Sequence, residues 1–120
     1  IGIQNAYILA MNKAMTLARE NAIVRMDTIV TNGKFKKGVL HAAHHGFVNG
    51  SERSWNIAAA ALVAYVMRNK LMDEYHIHWP EYNFHKNKGY NSQRHRQALK
   101  KYGPCELHRK SFEQISNLLR

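Results

Sequence analysis

The chain is poor in cysteine, in acidic side chains and in long apolar runs. Of its 120 residues only Cys105 is a cysteine. That excludes an internal disulfide and a multi-cysteine zinc site. It fits a reducing compartment, a mitochondrial matrix or a cytoplasm among them. Its plainest role is that of a small, partly buried residue. No apolar run approaches the ~20 residues of a membrane-spanning helix, so no membrane partner is expected. The sequence opens Ile1-Gly2-Ile3, with no methionine and no basic, apolar, cleavable leader. The expectation is a chain cut from a longer one. Repeats and low-complexity stretches are absent, and 120 residues suit a single domain, 1–120, with a modest core.

The shortage of acids leaves a strong excess of the other sign. Eight Asp and Glu face 18 Lys and Arg, a formal net charge of +10. The excess is concentrated. Between residues 85 and 110 stand Lys86, Lys88, Arg94, Arg96, Lys100, Lys101, Arg109 and Lys110, against Glu106 alone. Such density points to a polyanion, most often nucleic acid. An anionic membrane surface or a merely solvated basic face are the weaker readings. Lys34, Lys36 and Lys37 form a second, smaller basic group.

Ile3, Tyr7, Ala10, Ala14 and Leu17 recur at helical spacing and predict an amphipathic helix over residues 2–20. Ile23-Val24 and Ile29-Val30 predict a strand running into the turn Thr31-Asn32-Gly33, followed by a basic loop over 34–38 and a second strand over 40–48. The alanine-rich run Ala58 to Ala61 lies in a predicted helix, 57–75, suited to close packing. An irregular aromatic loop is expected over 76–90. Ser92 is the expected N-cap of a helix through Tyr102, stopped by Gly103 and Pro104. A short helix over 111–119 closes the chain. His44-His45 and His76-Ile77-His78 lack the further ligands of a zinc site and are read as strand and loop histidines. Met11, Met15, Met26, Met67 and Met72 are read as core filler. The element order is that of an α/β or α+β chain.

Three stretches together resemble the type 2 ribonucleases H, the ribonuclease HII family. NIAAAALVAYVMRNKLM, residues 56–72, is similar to the family's alanine-rich central helix. WPEYNFHKNKGYNSQRHRQALKKYGPC, residues 79–105, resembles YPxYxFxxHKGYxTxxHxxALxxYGPC, and LHRKSF, 107–112, resembles HRxSF. The first helix, IQNAYILAMNKAM, resembles NIxxATxxAMxxA. The likeness covers nearly the whole chain but only the C-terminal part of the family. It implies a partial ribonuclease H-like α/β fold, a mixed sheet flanked by helices without the first strands. It also implies cleavage of RNA in RNA–DNA hybrids with Mg²⁺ or Mn²⁺ on four acidic residues. Two such ions stabilise the attacking and leaving oxygens of an in-line displacement, and Mg²⁺ requires hard anionic oxygens.

Those acids do not carry over. The family's first two, in GxDExGRG, have no counterpart here. The third, the Asp of VDG, falls on Asn32, and the fourth, the Asp of KGD, falls on Ser51. Glu52 is adjacent but its side chain leaves in another direction, and Asp27 is expected at the far end of the strand. Asp73 and Glu74 lie about five helical turns beyond Glu52, roughly 30 Å along the axis. The binding residues carry over better. Tyr90 matches the tyrosine that packs on the sugar beside the ribonucleotide, and Lys88 the basic residue before it, while Asn87 stands where the family has His. His108, Arg109 and Ser111 match HRxSF and are placed on phosphate, with a helix-anchoring role for Arg109 as the alternative.

The favoured reading is therefore a non-catalytic ribonuclease HII-like domain with no metal cofactor. It binds RNA or builds a ribonucleoprotein such as an organellar ribosome. The alternative is an active Mg²⁺- or Mn²⁺-dependent endoribonuclease whose missing acids come from another segment or chain. A protein-binding scaffold is the third. In all three the open sheet edge is expected to be covered by another protein chain, by RNA or by further residues of the same protein.

Overall fold

A long apolar-and-polar repeat begins the chain, and in the computed structural model it forms helix α1, Ile3–Glu20. The structure describes residues 2–26, 28–36 and 38–118. The backbone divides into two compact units, Ile1–Val63 and Ala64–Arg120.

In the first unit, α1 buries a different face from the one its apolar spacing suggested. Ile3, Tyr7 and Leu17 are exposed, whereas Met15 and Asn12 are buried. The cause is the partner surface. Leu40 and Ala42 form a core cluster with Met15, and Ile8, Met11, Ile29 and Phe35 pack around it. Asn12 holds the pieces together. Its Oδ1 accepts the His41 N–H at 2.8 Å, and its Nδ2 donates to the Val39 carbonyl at 3.4 Å.

The sheet of the described residues is a parallel pair, β1 (Ile29–Asn32) and β2 (His44–Phe47). Ile29 pairs with His44 and Asn32 with Phe47. Both strands are shorter than expected. Ile23 and Val24 are exposed and lie outside β1, because a strand needs a partner and β2 supplies four residues. Leu40 and Ala42 leave the second strand to join the core against α1. The ladder continues into the turn, where the Gly33 N–H donates to the Phe47 carbonyl at 2.7 Å. A Cβ on Gly46 would lie 2.5 Å from the Gly33 carbonyl oxygen, so this approach requires glycine. After β2 come a short helix, α2 (Gly50–Arg53), and the long helix α3 (Trp55–His78).

The second unit contains the rest of α3, a 3₁₀ turn at Pro80–Tyr82, then α4 (Phe84–Asn87), α5 (Gln93–Tyr102) and α6 (Glu113–Ser116). Most of the expected aromatic loop is thus helical, and His76 and His78 lie on α3. The helical ladder persists to Trp79, whose N–H donates to the Tyr75 carbonyl at 3.0 Å. Pro80 then ends it, because the residue before a proline is driven out of the helical region. Ser92 caps α5 as expected, its hydroxyl accepting the His95 N–H at 3.2 Å. Gly103, at φ +74°, closes it. The final helix is shorter than predicted, and position 119 lies outside the described residues.

Tyr82, Phe84, Ala98, Leu99 and Ile115 form the core of this unit, with Met72, Tyr75, Trp79, Cys105 and Leu107 packed against it. The Tyr82 hydroxyl donates to the Gly103 carbonyl at 2.7 Å and ties the 3₁₀ turn to the end of α5. Met15 and Met72 act as fillers, but Met26 and Met67 are exposed. Ala59, Ala60 and Ala61 are exposed too, so the close packing an alanine run permits has no partner among the described residues. No described helix is long and apolar enough to cross a membrane.

Candidate functional site

The chain presents two local sites, one in each unit. The first lies where β1 ends and α2 begins. Asn32 is the last residue of β1, and its Oδ1 accepts the Gly50 N–H at 2.9 Å. Gly50 is buried and immediately precedes Ser51, so this bond brings the two positions 32 and 51 to one place. The approach is close. A Cβ on Gly50 would lie 2.8 Å from Ile57 Cδ1 and 3.2 Å from Asn32 Cα. Asn49 turns the chain at φ 53°, a left-handed conformation that asparagine tolerates.

The donors at this place are neutral. Asn32 contributes a carboxamide oxygen that already takes a backbone N–H, and Ser51 an exposed hydroxyl. Glu52 is the one carboxylate of α2 and is exposed. Asp27 lies outside the described residues. Among the described residues no three His, Cys, Asp or Glu side chains come together in a metal-binding group. A site for Mg²⁺ needs converging anionic oxygens, so this donor set does not fit the ion. Nearby, Lys34 and Lys36 are exposed in the loop after β1, and Lys37 lies outside the described residues. Lys34 lines a cavity of about 580 Å³ with Phe35, Leu40 and His44.

The second site is built on the turn Asn87-Lys88-Gly89-Tyr90. Asn87 holds this turn. Its Nδ2 donates to the Tyr82 carbonyl at 2.6 Å, and its Oδ1 accepts the Gly89 N–H at 2.8 Å. Lys88 and Gly89 both take left-handed backbone conformations. Lys88 Nζ forms an ion pair with Asp73 and reaches the Asn69 carbonyl at 3.4 Å. Its charge is therefore partly spent inside the protein. Tyr90 is 65% exposed. Behind it stands Arg68, whose Nη2 donates to the Lys88 carbonyl at 2.7 Å. The Arg68 guanidinium carbon lies 4.6 Å from the centre of the Tyr90 ring.

Lys88, Tyr90 and Arg109 line one groove of about 870 Å³, together with Arg68, Phe112 and the buried Phe84, Leu99 and Ile115. The Arg109 guanidinium stacks 5.4 Å from the Phe112 ring centre. Lys86, Lys110 and Ser111 are exposed outside it. Arg94, Arg96, Lys100 and Lys101 are exposed on α5 and do not line the groove. Arg96 donates to the Asn91 carbonyl at 3.0 Å, and Lys101 sits 4.9 Å from the Tyr102 ring centre.

His108 is turned inward. Its Nδ1 accepts the Cys105 N–H at 3.0 Å, and its Nε2 lies 3.1 Å from Nε2 of His95. The same Nδ1 lies 3.1 Å from Cys105 Sγ, so the ring is held from both sides. Burial lowers the pKa of both histidines, and the neighbouring imidazole lowers that of His95 further. Burial pushes the Cys105 thiol up. This cluster holds the 105–108 turn to α5, and both histidines also line the groove beside Tyr90 and Arg109. Of the residues in the groove, Arg68 escaped the sequence reading. It stands 20 residues before Lys88, on a helix whose pattern marks it only as the start of a polar half.

A short parallel strand pair flanked by helices, with a turn at the C-terminal strand ends leading into a long alanine-rich helix, is a partial ribonuclease H-like α/β fold. The chain belongs to the ribonuclease HII family, whose model matches residues 2–115. It is 37% identical to the ribonuclease HII of Christiangramia forsetii over 120 residues, all of this chain and 59% of that protein. It is 40% identical to that of Caldanaerobacter subterraneus subsp. tengcongensis over 114 residues, 93% of this chain and 44% of the relative. Over 118 residues it is 39% identical to that of Thermotoga maritima, 98% of this chain and 47% of the relative. The chain thus spans about half the length of the curated relatives it matches.

Proposed function

We propose that the chain is a nucleic-acid-binding part of a ribonuclease HII-like domain in which residues 1–120 hold no catalytic metal. RNA or an RNA–DNA hybrid is the ligand that suits the groove at Tyr90 and its basic surroundings. The observation that carries the non-catalytic half is the bond from the Gly50 N–H to Asn32 Oδ1. It occupies, with a neutral side chain, the place where the family's chemistry calls for a carboxylate. The binding half is supported by the exposure of Tyr90 and by the +10 charge. Further protein segments or chains cover the edges of the two-stranded sheet and the exposed apolar residues of α3.

The test uses a labelled RNA–DNA hybrid and the full chain. Binding is expected to weaken as salt rises, with a log–log slope of about −0.9 per phosphate contacted. Calorimetric titration with Mn²⁺ is expected to show no site at Asn32 and Ser51. The double variant Asn32→Asp with Ser51→Asp is expected to create a weak one. Metal-dependent cleavage of the hybrid by the unsubstituted chain, abolished by a chelator, would overturn the non-catalytic reading. Absence of any salt-sensitive binding would overturn the nucleic-acid reading.

A further inference from the structure

The Tyr90 ring is exposed on a turn that contains a glycine, a setting that by itself leaves an aromatic side chain free to swing. Stacking on a sugar or base rewards a ring already held in place, because no rotamer freedom is then lost on binding. The second unit supplies such a hold from α3. Arg68 does two things at once. It donates to the Lys88 carbonyl at 2.7 Å, which fixes the backbone before the ring. It also lies 4.6 Å from the ring centre, which fixes the ring itself. The rest of this helix face completes the clamp. Asp73 and the Asn69 carbonyl hold the Lys88 side chain. Met72 presses on the turn so closely that a Cβ on Gly89 would meet its Cε at 3.2 Å.

We propose that Arg68 is a positioning residue for nucleic-acid recognition, orienting Tyr90 rather than contacting phosphate itself. The inference rests on the proposed function and names how its site is made rigid. Guanidinium geometry is essential to it, since a planar fork can donate in its own plane to a carbonyl while its face covers an aromatic ring. A lysine ammonium, a compact point charge, does only one of these.

The experiment is a double-mutant cycle on the full chain, read by fluorescence anisotropy of a fluorescein-labelled RNA–DNA hybrid. Tyr90→Ala is expected to weaken binding about tenfold, the usual worth of one stack on an aromatic. Arg68→Met is expected to weaken it about fivefold in the wild-type background and less than about twofold in the Tyr90→Ala background, the non-additivity of residues acting as one unit. The salt slope of Arg68→Met stays that of the unsubstituted chain. Arg68→Lys is expected to bind as weakly as Arg68→Met, and it carries the cycle if the methionine variant does not fold. Additive losses, or a slope reduced by about one phosphate contact, make Arg68 a direct ligand and overturn the inference. So does full affinity in Arg68→Met. If the unsubstituted chain binds no hybrid, the proposed function falls first and this role with it. If it binds and the cycle is additive, only this role falls.

Discussion

Gly50→Ala tests the junction on which the first site depends. The added methyl would sit 2.8 Å from Ile57 Cδ1, 3.2 Å from Asn32 Cα and 3.4 Å from Asn32 Oδ1. Ile57 is 6% exposed, so its side chain has little room to retreat, and the Asn32 contact is to backbone. Overpacking of this kind costs about 1–3 kcal/mol, while alanine's better helix propensity returns up to about 1 kcal/mol. A net loss of about 1–2 kcal/mol follows, or roughly 3–8 °C in Tm for a chain of this size. Ile57→Val removes the Cδ1 atom that the methyl would meet. Alone it costs about 0.5–1.5 kcal/mol. Combined with Gly50→Ala it should cost less than the two together, by about 1 kcal/mol, because it opens the space the methyl needs. Urea unfolding of the two single variants and the double one, followed by far-UV circular dichroism, measures this coupling. Strict additivity, or a Gly50→Ala chain as stable as the original, would refute the packing at this turn.

Asn32→Ala should destabilise by about 1–3 kcal/mol, because the buried Gly50 N–H loses its acceptor, whereas Asn32→Asp keeps an oxygen there and should stay within about 0.5 kcal/mol at pH 7 in the same unfolding assay. His95 and His108 both have lowered pKa values, mainly through burial. The unfolded chain therefore takes up protons at these sites before the folded one does. Their stabilising contribution is complete above the ordinary histidine pKa and is lost as pH falls below it toward the folded values. Tm measured between pH 7.5 and 5 should fall, and His95→Gln should flatten the fall; a Tm that rises on acidification would contradict the sign. Tyr82→Phe removes the bond to the half-buried Gly103 carbonyl and should cost about 0.5–1.5 kcal/mol, read from the urea midpoint at unchanged m-value.

What the sequence alone determined was whatever depends on local chemistry or on a contiguous motif. The helix caps belong here. Ser92 and Gly103 bound α5 as read, because capping involves neighbours within a few residues. The family does too, since its motifs are runs of adjacent residues. Tertiary structure decided what depends on a distant partner. The strand containing Ile29 shrank to four residues because its mate offers four. The buried face of α1 was set by Leu40 and Ala42, so Ile3, Tyr7 and Leu17 remained outside despite perfect helical spacing. His108, whose motif suggested phosphate, faces His95 and Cys105 because their ring and backbone atoms lie within hydrogen-bonding reach in the fold. Arg68 became visible only once α3 and the Lys88-Gly89-Tyr90 turn were side by side. Periodicity reports that a helix has faces, and motifs report which side chains are present. Which face is covered, and which charge is already paired, is settled by contacts between segments far apart in the chain.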